Sequence, residues 1–216
     1  MKRVIYWCNV DQFPDAVQIE SMLEKLPVFL QQNVKEYRNE RDFARSLIGK
    51  SLLKKGLEEF SKPHVLLDIE RNKFGRFICP KGEVDFNISH SGNAVVVAFD
   101  REGKVGIDIQ EKSKGSILIA ERFFAEEEVD WIKAQKDFNH AFTHIWTRKE
   151  AVVKATGTGI RIPLDSFLVL EDEISMKGEK YYLQSDLKHS SHYFLTVCSN
   201  VQAPFEIKQV ALTELL

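Results

Sequence analysis

DFNISHSGNAVVVAFDREGKVGIDIQ, residues 85–110, is the stretch whose reading decides the fold. It divides into three strand-like runs, Asp85–Ser89, Ala94–Asp100 and Val105–Gln110. Ser91-Gly92-Asn93 and Arg101-Glu102-Gly103 separate them, and both suit short turns. After Gln110 the periodicity changes. Helices are predicted over about 115–123, 126–135 and 138–156, the last with Phe138, Phe142, Ile145 and Trp146 at helical spacing. From Asp165 onward the pattern returns to strands, near 166–171, 180–186, 192–199 and 205–210.

Upstream, residues 3–10 alternate as a strand and residues 15–26 read as a helix. A longer helix is predicted from about Val34 to Phe60, with Phe43, Leu47, Leu52 and Leu53 toward the core. Val65–Arg71 reads as a strand, and Asn72–Glu83 as a loop punctuated by Gly75, Pro80 and Gly82. Strands and helices are thus partly segregated, which predicts an α+β fold with largely antiparallel sheets. The order strand, helices, strands occurs twice and divides near Gly103. Two units are therefore expected, residues 1–103 and 104–216.

The 216 residues are 44% hydrophobic and 29% charged, enough for a sizeable core. A net charge of −2, with a pI near 6.3, provides no basic stripe for nucleic acid or anionic membrane. Cys8, Cys79 and Cys198 are odd in number and lack metal-ligand spacing, so they read as reduced thiols of a cytoplasmic protein. The N-terminal apolar run is broken by Asn9 and Asp11, too early for a signal peptide. The run Ala94–Phe99 is too short to span a bilayer.

The chemistry concentrates in VGIDIQ (105–110) and WTRKEAVVK (146–154). With Ile107 and Ile109 facing the core, Gly106, Asp108 and Gln110 share the other face of a strand. Trp146, Glu150 and Lys154 form one helical stripe. Aspartate is depleted in strands, so Asp108 needs a reason: a turn cap, or a cation ligand. Glu150 and Lys154 are either a surface pair or a metal-binding carboxylate beside a phosphate-binding amine. Mg²⁺ is commonly held by one or two carboxylates plus substrate phosphates, so the pattern suggests phosphate chemistry. The turn after Asn87-Ile88-Ser89-His90 is either an ordinary hairpin or a phosphate cradle. Arg71-Asn72-Lys73-Phe74-Gly75-Arg76 is a basic loop leading into it. His140 and His144 have i, i+4 spacing but lack the adjacent glutamate and third ligand of a zinc site. Glu126–Glu128 are explained by a helix N-terminus.

Taken in order, RDFARSL (41–47), FGR (74–76), NISHSG (87–92), GIDI (106–109), RFF (122–124), WTRKEA (146–151), Lys154 and GTG (157–159) followed by Pro163-Leu164 resemble the 4′-phosphopantetheinyl transferases of the larger Sfp-type class. Each motif is weak alone; the ordered set is specific. The resemblance implies two similar α/β halves related by a pseudo-two-fold axis, with coenzyme A and Mg²⁺, or Mn²⁺, in the cleft. It implies transfer of the phosphopantetheine arm of coenzyme A to a serine of an apo acyl carrier protein or peptidyl carrier domain, releasing 3′,5′-ADP, by a monomer. Asp108 and Glu150 are then metal carboxylates, with Gln110 a further ligand. Lys154, assisted by Lys149, contacts the pyrophosphate. Ser89, His90, Arg76 and Arg45 surround the 3′-phosphate and adenine. Glu150 or a metal-bound hydroxide takes the serine proton. Two departures stand out: Gln110 where glutamate is common, and Arg76-Phe77 where Lys-Pro is common. The extra lysines some members use near the adenine are absent between residues 26 and 34. A non-catalytic coenzyme A or carrier-binding module, and a Mg²⁺-dependent pyrophosphate hydrolase, are the competing readings.

Overall fold

A computed structural model describes residues 3–10, 13–112, 115–159, 162–176, 178–185 and 192–216. Position 186, the end of one expected strand, lies outside these. The first sheet has the order β10-β1-β5-β4, built from β1 (Arg3–Asn9), β4 (Asp85–Ser91), β5 (Ala94–Asp100) and β10 (Glu206–Gln209). The second has the order β6-β9-β8-β7, from β6 (Val105–Glu111), β7 (Glu173–Met176), β8 (Glu179–Ser185) and β9 (Tyr193–Ser199). A two-residue pair, β2 (Glu70–Arg71) with β3 (Phe77–Ile78), closes the basic loop. All pairings are antiparallel except β1 with β10. The fold is α+β, as the partial segregation of strands and helices predicts.

The run Ala94–Phe99 is apolar throughout because β5 is buried on both faces. Val95, Val97 and Phe99 pack with Val4, Tyr6 and Cys8 of β1 against helix α3 (Glu40–Glu59). Ala94, Val96 and Ala98 face the other way, with Ile5 and Trp7, onto Val105, Ile107 and Ile109 of β6 and Leu195 and Val197 of β9. Beyond the second sheet lies helix α7 (Phe138–Thr156), with its own core. The order of layers is helix, sheet, sheet, helix.

The edges β4 and β6 meet through a ladder that the backbone does not make. Alternate side chains of β4 accept from alternate N–H groups of β6. Asp85 Oδ2 accepts from Val105 at 2.8 Å, Asn87 Oδ1 from Ile107 at 2.9 Å, Ser89 Oγ from Ile109 at 3.3 Å and Ser91 Oγ from Glu111 at 2.9 Å. An exposed strand edge has a row of unpaired donors. Here short polar side chains at period 2 satisfy them and join the two sheets.

Three expectations are corrected. The long helix is broken: α2 (Val28–Lys35) ends before Asn39, whose side chain caps α3 by accepting from Arg41 N and Asp42 N. Residues 65–71 are not one strand. Val65–Asp68 form a helical turn, α4, because Val65, Leu66 and Ile69 are buried together while Leu67 is exposed, a helical spacing. Residues 166–171 form no strand either. A 3₁₀ turn covers Leu164–Ser166, and the backbone that follows bonds to side chains. Arg148 donates to Val169 O and Glu171 O, Lys149 to Leu164 O and Phe167 O, and Glu128 Oε1 accepts from Val169 N. Helices α1 (Ala16–Glu24), α5 (Ile117–Phe123) and α6 (Glu126–Lys133) fall where expected. Among the described residues no helix is long and apolar enough to cross a membrane.

Candidate active site

Gly106 permits the site. A Cβ there would lie 2.1 Å from the Ala151 carbonyl oxygen and 2.2 Å from the Ala155 nitrogen, so a side chain at this position would push α7 off β6. On the same face of β6, Asp108 and Gln110 then meet the stripe Trp146, Glu150 and Lys154. With Ile88, Ser89 and His90 of β4, these line an open cavity of about 350 Å³. A second cavity of about 380 Å³ shares Ile88, Glu150 and Lys154 with it and is walled by Phe74, Arg76, Phe77 and Gly157.

Asp108 is 2% exposed. Lys154 Nζ lies 2.6 Å from its Oδ1 and also donates to Ser89 Oγ at 3.0 Å. The Ser89 hydroxyl donates to the same Oδ1 at 3.0 Å. Gln110 Nε2 donates to Oδ2 at 3.1 Å. Glu150 has no such relief. Burial first, and then the negative charge of Asp108, raise its carboxyl above the usual range, with Lys154 offsetting only part. The His90 imidazole is pushed down, by burial first and then by Arg45 and Lys154, so it is neutral at pH 7. Two carboxylates that repel each other in one half-dehydrated cavity fit a divalent cation. Among the described residues no three Asp, Glu, His or Cys side chains gather as a metal site. The fit is therefore to a cation that takes its remaining ligands from phosphate and water.

Other candidate residues are committed to the protein itself. Lys149 is fully buried on the far side of α7, 2.7 Å from Glu128, and does not reach the cavity. Arg76 points between the sheets. Its guanidinium donates to Asp85 Oδ2 at 2.7 Å, to Phe86 O at 3.1 Å, to Val105 O at 2.8 Å and to Lys154 O. Its Nη1 also donates to Ala155 O at 3.4 Å, and among the described residues the buried Nε has no partner. Arg76 thus caps the last turn of the helix that carries Glu150 and Lys154. Arg45 donates to Gly92 O at 2.8 Å and pairs with Asp42, bracing the turn after His90. From the other side, Tyr193 Oη accepts from Asn93 N at 2.9 Å. His140 and His144 lie against Phe194 and Trp131. Gly106, the ladder side chains, Glu128 and Arg148 were missed as supports of the site. The alternation Asp85, Asn87, Ser89, Ser91 was the visible signal for the ladder.

Two family models match the chain: the 4′-phosphopantetheinyl transferase superfamily over residues 104–203, and the N-terminal region of 4′-phosphopantetheinyl transferase over residues 13–102. The chain is 30% identical to the 4′-phosphopantetheinyl transferase ffp of Bacillus subtilis, covering 76% of this chain and 75% of that protein. It is 29% identical to Sfp of Bacillus subtilis strain 168, covering 98% and 99%. It is 39% identical to gsp of Aneurinibacillus migulanus, covering 64% and 59%. The solved holo-[acyl-carrier-protein] synthase of Thermotoga maritima matches 44% of this chain and 61% of that chain at 18% identity and a TM-score of 0.35, too slight a likeness to carry weight. The chain belongs to the 4′-phosphopantetheinyl transferase superfamily, and with it to the transferases.

Proposed function

We propose that this protein moves the 4′-phosphopantetheine arm of coenzyme A onto a serine of an apo acyl or peptidyl carrier protein, with Mg²⁺ or Mn²⁺, releasing 3′,5′-ADP. The observation that carries this reading is the convergence of Asp108, Glu150 and Lys154 in one cavity where the two sheets' edges meet. Asp108 and Glu150, with Gln110 alongside, would hold the cation, which neutralises pyrophosphate charge when bound. Gln110 donates to Asp108 and so acts mainly by orienting that carboxylate.

The remaining chemistry belongs to the chain's own groups. The carrier serine attacks the β-phosphorus. A new phosphorus–oxygen bond forms, the bond to the bridging oxygen breaks, and 3′,5′-ADP leaves with the electron pair. Glu150 takes the serine proton. Lys154 gives up its contact with Asp108 for the pyrophosphate and offsets the charge developing on the leaving phosphate. His90 faces the donor as a neutral donor of one hydrogen bond. The setting is the cytoplasm, and the unit a monomer.

Incubation with coenzyme A, Mg²⁺ and a panel of apo carriers should add the mass of the arm to at least one carrier. Asp108→Ala and Glu150→Ala should each lower the rate by about 10²-fold or more, the scale of a lost catalytic base or charge stabiliser, with the circular dichroism unchanged. Coenzyme A cleaved while every carrier stays unmodified would replace transfer with hydrolysis. Full activity in excess EDTA would remove the metal.

A further inference from the structure

Ser89 stands in the middle of the β4–β6 ladder and differs from its neighbours there. Asn87 and Ser91 each accept from one N–H of β6. Ser89 also reaches the 350 Å³ cavity. Besides the Ile109 N–H at 3.3 Å, its Oγ accepts from Lys154 Nζ at 3.0 Å and donates to Asp108 Oδ1 at 3.0 Å. A hydroxyl has one proton and two lone pairs, so these three bonds exhaust it. The residue is 6% exposed.

Family resemblance puts Ser89 against the donor's 3′-phosphate. An ionised phosphate oxygen accepts hydrogen bonds and would need the serine proton, which Asp108 already holds. Turning that proton away would leave a carboxylate that is 2% exposed short of a partner, and a buried charged group loses most when a partner is removed. Asp108 is held at both oxygens, Oδ1 by Ser89 and Lys154 and Oδ2 by Gln110. The Lys154 contact is the one the proposed reaction gives up. Ser89 and the half-buried Gln110 then keep the carboxylate in place. Gln110 lies on the same strand as Asp108, whereas Ser89 comes from the other sheet. Its Oγ is pinned by the N–H of Ile109, the residue after Asp108, so it follows the strand that carries the carboxylate. We propose that Ser89 is a positioning residue for the cation site. It fixes Asp108, and the resting place of Lys154, across the seam between the sheets, and it does not read the donor's phosphate. The inference rests on the transferase reading above and deepens it.

The test uses Ser89→Ala, which removes the hydroxyl, and Ser89→Thr, which keeps it. Three of the four ladder bonds remain in Ser89→Ala, so circular dichroism should be unchanged. Mn²⁺ titration followed by electron paramagnetic resonance, with coenzyme A present and no carrier, reads the cation directly. A hydrogen-bond partner of a metal-ligating side chain is typically worth about 10–100-fold in metal affinity. Ser89→Ala should weaken Mn²⁺ on that scale, and Ser89→Thr should restore most of it. Calorimetric titration with 3′,5′-ADP against 5′-AMP, without metal, reads the phosphate. The ratio of those two affinities should be the same in wild type and Ser89→Ala. Unchanged Mn²⁺ affinity in Ser89→Ala, or a preference for 3′,5′-ADP that this variant loses, would overturn the assignment. Equal weakening in both variants would trace the effect to packing rather than to the hydroxyl, and would overturn it too. If Mn²⁺ weakens as expected while wild type modifies no carrier, the assignment stands and the transferase reading alone has failed. If wild type binds no Mn²⁺ beside coenzyme A, the cation site and this assignment fall together.

Discussion

Glu150 occupies a position where a carboxylate ionises reluctantly, and the consequence is measurable. Its pKa in the folded protein lies above the ordinary 4.5, through burial first and the Asp108 charge second. For a group shifted upward, the favourable contribution to stability is complete below the unfolded value and is lost as pH rises through the folded one. At neutral pH the ionised Glu150 therefore works against the metal-free fold. Glu150→Gln should melt higher than wild type at pH 7 without metal, and the gap should close as pH falls toward 4. The same variant should lose about 10²–10⁴-fold in transfer, the usual contribution of a general base. A scanning-fluorimetry series from pH 4 to 8 in EDTA checks the first part. A gap that widens toward acid would show that the carboxyl is stabilised rather than strained. The sequence made Asp108, Glu150 and Lys154 legible because strand and helix periods fix which side chains share a face. It did not reveal which way Arg76 turns. A charge in a loop carries no period, and its destination depends on which carbonyls the distant α7 and β6 leave unpaired.

At the scale of elements, α7 carries Glu150 and Lys154 and needs a fixed position over β6. Gly106 sets the distance, and Arg76 holds the end. The guanidinium joins Asp85 and Phe86 of β4, Val105 of β6 and the last turn of α7. A cation at a helix C-terminus also complements the macrodipole. Arg76→Met would leave Asp85 and several carbonyls without their partner, at a cost of about 3–5 kcal/mol by the measure of other broken buried pairs. Arg76→Lys should recover only part, since a single ammonium cannot span three elements. Urea unfolding of both variants decides the matter. A variant as stable as wild type but with a weakened donor would return Arg76 to the donor-binding role that family resemblance implies. The strand expected at residues 166–171 failed for a related reason. Its apolar pattern is real, since Phe167 and Val169 are buried. Yet its backbone partners are the side chains of Arg148, Lys149 and Glu128, and long-range bonds of that kind leave no local mark. The strands β4, β5 and β6 were legible, though not their division between two sheets, because tight turns and short alternating or apolar runs are local properties.

For the whole molecule, chain order suggests two units dividing near Gly103, whereas the packing ties them together. The central core takes Ile5, Trp7, Val96 and Ala98 from the first sheet and Ile107, Ile109, Leu195 and Val197 from the second. The β4–β6 ladder adds four side-chain bonds along one edge. Across the junction, Asp100 is fully buried between Arg3 at 2.9 Å and Ser199 Oγ at 2.9 Å. The chain then crosses back: β10 pairs in parallel with β1, and Val210 and Leu215 finish the first core. Neither sheet can lose its partner without exposing apolar surface buried on both faces of β1 and β5. The protein should therefore unfold as one cooperative unit. In calorimetry this predicts a single transition whose van't Hoff enthalpy equals the calorimetric one, roughly 150 kcal/mol near 60 °C for a chain of this length. Two independent units would give overlapping or separate transitions, with a van't Hoff enthalpy near half the calorimetric value. On the proposed function, coenzyme A with Mg²⁺ should raise the melting temperature of that single transition without splitting it. A scan in which ligand shifts only one of two resolved peaks would show that the sheets fold separately and that the shared core does not couple them.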